Sequence, residues 1–125
     1  MDVINVRGLS FKRFLDIAMP LGTVVHVVTD NDGKDSGDVE GGYSAYAGAS
    51  NIFIHVGKDK DVPTLEPQLL KANGLSKLNK VFGKSFATGD DMVVWMKANK
   101  TTCALALFET GESVAMPEYI ADAIA

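Results

Sequence analysis

The chain has 125 residues, of which 46% are hydrophobic and 22% are charged, and this suits one domain with its own core. A net charge of −4 argues against nucleic-acid binding through overall charge alone, although local contacts stay open. No apolar run approaches the roughly 18 residues that span a membrane, and the N-terminus has no signal-peptide pattern, so a cytoplasmic location is expected. The single Cys103 excludes an internal disulfide and a cysteine-rich zinc site, and its apolar surroundings predict a buried, unreactive thiol.

The first half of the chain is predicted to alternate strands and helices, an order that favours parallel strands joined by right-handed crossovers. Apolar spacing and turn residues supply the boundaries. The predicted elements are a strand over 2–6, a helix over 11–19 with Ser10 as N-cap and Pro20 and Gly22 at its end, a strand over 24–29, a mobile loop over 33–42, a short helix over 43–47 and a strand over 52–56.

The second half changes character and is predicted to be helical. Its helices are expected over about 64–73, 75–82, 90–98 and 101–108, with a last one beginning at Pro117. The fold class that follows is α/β, with a small parallel sheet of about three strands followed by a helical tail.

The apolar run over 24–29 ends abruptly in Asp30-Asn31-Asp32-Gly33. A strand of this kind, predicted to be buried on both faces, delivers its last residues to the carboxyl edge of a parallel sheet, where α/β folds bind ligands. The two aspartates have no basic residue between them, so a divalent cation would relieve their repulsion. A solvated Asx turn is the alternative, whereas an EF-hand fails because a strand precedes the loop and glycine comes too early.

Other residues with potential chemistry have structural explanations when they are taken one at a time. Glu66 suits the first turn of a helix, where it would interact with the helix dipole, and Lys100 is one lysine among many. His26 and His55 each lie inside an apolar strand, which favours a structural role over a ligand role. Trp95 and Met96 are predicted to belong to the core.

Five segments together resemble the Toprim domain of the OLD (overcoming lysogenization defect) family of ATP-dependent nucleases. They are GLSFKRF, VVTDNDG, PTLEPQLLKANG, ANKTTCALALF and PEYIADAI, and they span nearly the whole chain in the family's order. The resemblance implies a Toprim fold and a metal-dependent DNA endonuclease that hydrolyses phosphodiester bonds. It also implies a longer protein with an ABC-type ATPase domain, located upstream or acting in trans.

The resemblance assigns roles to four residues. Asp30 and Asp32 match the acidic pair that binds Mg²⁺ or Mn²⁺, and Glu66 matches the acid of the TLE motif, a second-metal ligand. Lys100 matches the catalytic lysine that stabilises the phosphate in the transition state. The implied reaction uses water activated on one metal ion, while the other ion and Lys100 stabilise the leaving oxygen.

One motif of the family is missing. Toprim domains carry a catalytic glutamate in a (V/I)EG segment before the Asp-x-Asp, but no such segment precedes Val3, and Glu40-Gly41 follows the motif instead. No P-loop occurs either. Residues 1–125 are therefore expected to be a single Toprim-like domain without its first strand, a fragment that is inactive alone. Its open sheet edge suggests a homodimer. The alternative is a non-catalytic remnant or interaction module.

Overall fold

The sheet consists of two parallel strands, β1 (Val25–Thr29) and β2 (Ile52–Val56), in a computed structural model that describes residues 1–5 and 11–125. Val25 pairs with Ile52 and Thr29 with Val56, so both strands end at the same edge. The crossover between them passes through helix and turn, as parallel pairing requires. The mixed α/β class is therefore confirmed, with two strands in the described part of the chain.

Helices surround this sheet and form most of the second half. Within residues 1–5 and 11–125, none of them is both long and apolar enough to cross a bilayer. Their bounds are α1 Lys12–Leu21, α2 Ser36–Gly41, α3 Leu65–Asn73, α4 Leu75–Phe82, α5 Gly89–Ala98, α6 Lys100–Glu109 and α7 Glu118–Ile124, with a turn of 3-10 helix at Ser44–Tyr46.

Two apolar clusters hold these elements together. The first joins α1, the crossover and β2, and its buried members are Leu15, Tyr43, Tyr46 and Ile52. The second joins the helices α3 to α6, and its buried members are Leu69, Leu78, Met92, Met96 and Cys103. The predicted core positions of Met96 and Cys103 are confirmed. Trp95 packs beside this second cluster and between the rings of Phe82 and Phe86.

Several predicted boundaries are confirmed, and two need correction at the N-terminal end. Residues 1–5 form no strand, while Val6 and the proposed cap Ser10 lie outside the described residues. Helix α1 continues through Pro20 and ends at Gly22, whose φ of 69° lets its N–H reach the carbonyls of Ala18 and Met19. Proline is tolerated there because only the last turn loses a hydrogen bond.

The predicted mobile loop over 33–42 is wrong in part, because it contains α2. Val39 of this short helix packs against the cluster of Leu15 and Ile52, and this tertiary contact outweighs the low helix propensity of its glycines. Strand β1 is likewise not buried on both faces. Its residues alternate, with His26 and Val28 exposed, since no full layer of described residues covers that face.

Candidate metal centre

A buried asparagine organises the edge at which both strands end. The Asn31 side chain is 0% exposed, and its Nδ2 donates to the carbonyls of Gly57 at 2.8 Å and Asp59 at 2.9 Å. Its Oδ1 accepts from the Gly33 N–H at 2.8 Å. The chain leaving β1 is thereby joined to the chain leaving β2, and all capacity of the amide to donate is used within the protein. This fixes the residues on either side of Asn31.

The turn that presents Asp32 has an unusual backbone. Asp32 adopts a φ of 50°, in the left-handed region where aspartate is among the few tolerated side chains, and Gly33 follows at 79°. The Asp32 N–H donates to the carbonyl of Pro63 at 3.3 Å, which ties the turn to the start of α3. The Asp32 side chain stays exposed. A strained residue with an exposed carboxylate at a strand end is typical of a binding site.

Asp30 is half-buried between β1 and the last helix. Its Oδ1 lies 2.8 Å from the Tyr119 hydroxyl, which is also 2.9 Å from Gln68 Oε1. The amide of Gln68 cannot turn round, since its Nε2 donates to the Val62 carbonyl at 2.9 Å. The single hydroxyl proton of Tyr119 is therefore shared between two acceptors, Asp30 Oδ1 and Gln68 Oε1, so these two oxygens have fewer than one hydroxyl proton each.

The electrostatics of Asp30 reflect this shortage. Burial raises the pKa of Asp30 above its ordinary value, and the negative charges of Asp32 and Glu66 raise it further, against the lowering effect of the hydrogen bonds from Tyr119 and the Leu65 backbone. Burial and the neighbouring Asp30 also raise the pKa of Tyr119, so the hydroxyl keeps its proton. Asp32 and Glu66 are thus each close enough to repel the charge of Asp30.

Glu66 lies in the first turn of α3 and meets Lys100 at the start of α6. Glu66 Oε1 is 3.2 Å from Lys100 Nζ, and the Glu66 side chain is 12% exposed while that of Lys100 is 73% exposed. Burial disfavours the charged form of Glu66, but its own backbone N–H and Lys100 outweigh burial and hold its pKa below the ordinary value. Glu66 is therefore an anion, and Lys100 reaches it from the solvent side.

All four residues singled out in the sequence lie at this edge. Asp32 and Glu66 both act electrostatically on Asp30, and Lys100 contacts Glu66. Carboxylate oxygens are hard ligands that suit Mg²⁺ or Mn²⁺. Across residues 1–5 and 11–125, however, no three histidine, cysteine or carboxylate side chains are arranged as a ready metal cage. The donor set fits such an ion, provided that Tyr119 and Lys100 release the oxygens they hold.

The pH dependence of stability tests the state of Asp30. Because the pKa of Asp30 is raised in the folded protein, the folded state binds this proton more tightly than the unfolded chain does. The Asp30 carboxyl therefore lowers the free energy of unfolding increasingly as the pH rises above the ordinary pKa of 3.8. The uncharged variant Asp30→Asn should therefore gain stability relative to the wild type between about pH 3 and pH 7. The difference between the two melting temperatures, measured by calorimetry, reports this gain.

The exposed Asp2 provides the matched control, and Asp2→Asn should show no such trend. If the difference between Asp30→Asn and wild type is the same at both pH values, or falls as pH rises, the raised pKa of Asp30 is refuted. The comparison uses the change with pH rather than the absolute melting temperature. If Asp30→Asn loses the hydrogen bond from the Leu65 backbone, the loss is the same at every pH and cancels from this comparison.

Three residues of this site were not identified from the sequence. In the sequence, Asn31 is only the middle residue of the Asp-x-Asp pattern, and no local pattern indicates a role for Gln68 or Tyr119. Asn31 carried a usable signal, because asparagine after a buried strand commonly bridges backbone groups. The partnership of Tyr119 with Asp30 spans 89 positions and leaves no local pattern.

Comparisons with protein-family models, with curated proteins and with solved structures find no match to this chain.

Proposed function

We propose that this chain is the metal-dependent endonuclease domain of an OLD-like nuclease, a Toprim domain that hydrolyses phosphodiester bonds in DNA. The observation that carries the proposal is the gathering of Asp30, Asp32 and Glu66 at the carboxyl edge of a parallel sheet, with Lys100 beside them. Open α/β sheets bind their ligands at this edge. The cytoplasmic location expected from the sequence belongs to the same proposal.

The three carboxylates would hold Mg²⁺ or Mn²⁺. Such an ion supplies a bound water of lowered pKa and neutralises phosphate charge. The buried Asn31 keeps Asp30 and Asp32 on either side of one anchored residue, so the protein bears the cost of positioning them during folding. Burial, and after it the repulsion from Asp32 and Glu66, raises the pKa of Asp30, and this supports the proposal because a bound cation would stabilise the charged carboxylate.

The exposure of Lys100 beside the acidic edge supports a role in contacting a phosphate. Its side chain is largely exposed and approaches the acidic edge from the start of α6. In the free protein it neutralises Glu66. A DNA phosphate at this edge would offer Lys100 a second anion, and an ammonium at that point stabilises negative charge that develops on the phosphate oxygens.

A non-catalytic remnant or interaction module is the second candidate, and two contacts favour it. Tyr119 donates a hydrogen bond to Asp30, and Lys100 forms an ion pair with Glu66, so two of the three carboxylates already have protein partners. A domain that had lost its metal would satisfy its acids in this way. The two candidates differ in whether a cation can displace these partners.

The proposal includes partners as well. The glutamate of the (V/I)EG segment is absent from this chain, so we expect the isolated domain to be inactive or very slow. Loss of a single residue that contacts the metal ion or the attacking water lowers the rate by about a thousandfold or more. Full activity would need an ABC-type ATPase domain, upstream or in trans, and DNA would be bound through that assembly. In residues 1–5 and 11–125 the sheet has only two strands, so each strand has an edge that a second copy of the chain could pair with, and we include a homodimer in the proposal.

The test combines Mn²⁺ calorimetry with plasmid nicking by the isolated chain. We expect weak Mn²⁺ binding that the double variant Asp30→Ala, Asp32→Ala removes. Lys100→Ala should bind Mn²⁺ more tightly than wild type, because it removes a cation from beside Glu66, whereas the exposed Lys97→Ala should leave affinity unchanged. With protein in excess over supercoiled plasmid, nicking should be slow and absent in Asp32→Ala and Lys100→Ala.

The outcomes separate the two candidates. Mn²⁺ binding that survives the double aspartate variant contradicts the metal centre, and absence of binding in the wild type favours the interaction module. Rapid nicking that Asp32→Ala abolishes would support the nuclease but refute the expectation that the isolated chain is inactive or very slow. Nicking that is equal in the wild type and Asp32→Ala would come from a contaminating enzyme and would contradict the proposal for this chain.

A further inference from the structure

The only two histidines of the chain meet on the exposed face of the sheet. His26 pairs in register with Phe53, and Val28 pairs with His55, so the two histidines lie on the same face of neighbouring strands. Their nearest ring atoms, His26 Nδ1 and His55 Nε2, are 2.9 Å apart. The pair is remote in sequence, with a separation of 29 positions.

The two rings meet edge to edge. Their centroids are 5.2 Å apart and their planes differ by 21°. This separation is close to the nitrogen–nitrogen distance plus one ring radius at each end, so the two nitrogens lie between the ring centres and face each other. In the metal-free protein one nitrogen must carry the proton and the other must accept it.

The surroundings hold this pair in place and keep it ready to bind a cation. The ring of Phe53 stacks on His26, with centroids 4.8 Å apart and planes 16° apart. Burial and the neighbouring His26 lower the pKa of His55, against the opposing effect of Asp122 on α7. The neutral imidazole is the form that binds metals, and a nearby carboxylate favours the positive charge of a bound ion.

We propose that His26 and His55 form a binding site for a divalent transition-metal ion of borderline softness, such as Ni²⁺, Cu²⁺ or Zn²⁺. Imidazole nitrogens bind these ions at about 2.0–2.1 Å, so two nitrogens 2.9 Å apart suit adjacent positions of one coordination sphere. Because the ring nitrogens now face each other, each ring would turn substantially about its side-chain bonds to aim its lone pair at a common point. The proton that lies between the nitrogens would leave for solvent, while the donor ring takes up a proton on its outer nitrogen.

This site is separate from the carboxylate edge in chemistry and in its residues. Two imidazoles select borderline metal ions, whereas Asp30, Asp32 and Glu66 select hard ions such as Mg²⁺ or Mn²⁺. Among the residues that the structure describes, no third protein ligand completes the histidine pair. Water or a ligand from outside the chain would therefore fill the remaining coordination positions, an open arrangement that leaves the ion accessible.

The experiment is a calorimetric titration of Ni²⁺ chloride into the tag-free chain at neutral pH. We expect one equivalent of Ni²⁺ to bind at the histidine pair. The variants His26→Gln and His55→Gln should each weaken binding by about tenfold or more, since even the loss of a group that only orients a ligand costs 10–100-fold. The double variant Asp30→Ala, Asp32→Ala removes the carboxylate edge, to which Ni²⁺ would also bind, and should keep the Ni²⁺ binding that depends on the two histidines.

Nuclear magnetic resonance of the wild type provides a readout that does not depend on the folding of any variant. Paramagnetic Ni²⁺ should broaden the ring signals of His26 and His55 before any other signals. Ni²⁺ affinity that is unchanged in both histidine variants would overturn the site, and so would broadening that begins at Asp30 and Asp32. Failure of Mn²⁺ to bind would leave this result untouched, because the proposed nuclease centre uses other residues.

Discussion

Replacing Asn31 by alanine is expected to lower the free energy of unfolding by about 3 kcal/mol. The variant leaves the carbonyls of Gly57 and Asp59 and the N–H of Gly33 without the partner that each has now. The Asn31 side chain is 0% exposed, so water does not readily replace it. A buried group that loses its partner costs about 1–3 kcal/mol, and the shared origin of the three losses keeps their sum near the value given.

Asn73 provides the matched control, because its side chain also makes three hydrogen bonds. It donates to the carbonyls of Leu69 and Ala115 and accepts from the Ala115 N–H, but the two bonds to Ala115 are exposed to water. Asn73→Ala should therefore cost about 1 kcal/mol. Urea denaturation of both variants measures the difference. Equal losses would show that burial of Asn31 adds nothing.

Replacing Leu78 by alanine should cost about 3 kcal/mol, within the range of 2–5 kcal/mol found for buried leucines. Leu78 lies on α4, is 0% exposed and contacts the cluster formed by Leu69, Met92, Met96 and Cys103. The variant removes apolar area and leaves a cavity that four helices would have to close. Thermal and urea unfolding should both show the loss.

Leu105 is the control for this second prediction, since it lies on α6 and is 55% exposed. Leu105→Ala should change the free energy of unfolding by less than about 0.5 kcal/mol. A similar effect at both positions would mean that the helical cluster does not stabilise the fold as described. If Leu78→Ala lowers the free energy of unfolding strongly but leaves Mn²⁺ binding by the folded protein unchanged, the helical cluster stabilises the fold and does not determine the geometry of the acidic edge.

The acidic edge combines a rigid support with unfavourable electrostatics. Asn31 anchors the turn through backbone carbonyls, whereas Asp30 is held between Tyr119 and two repelling carboxylates. Folding alone would not favour such an arrangement, because burial of a carboxylate near like charges costs free energy. Proteins commonly accept this cost where a ligand is to be bound.

Local signals in the sequence determined most of the elements. Helix α4 was predicted over 75–82 and spans those residues, because Gly74 separates it from α3 and its apolar positions recur at helical spacing. Strands β1 and β2 were found from their β-branched runs, and their parallel order followed from the crossover between them. Asp30 and Asp32 were placed at the strand end for the same reason, since only neighbouring residues are involved.

Tertiary structure alone decided what these local signals do not contain. The six residues of α2 form a helix because Val39 packs against a cluster of residues distant in sequence. One face of β1 is exposed because no full layer of described residues covers it. Tyr119 reaches Asp30 across 89 positions, and His26 meets His55 only because two strands pair in one particular register. The physical reason is common to all of these. Contacts between distant residues depend on the register and packing of whole elements, which periodicity along the chain does not encode.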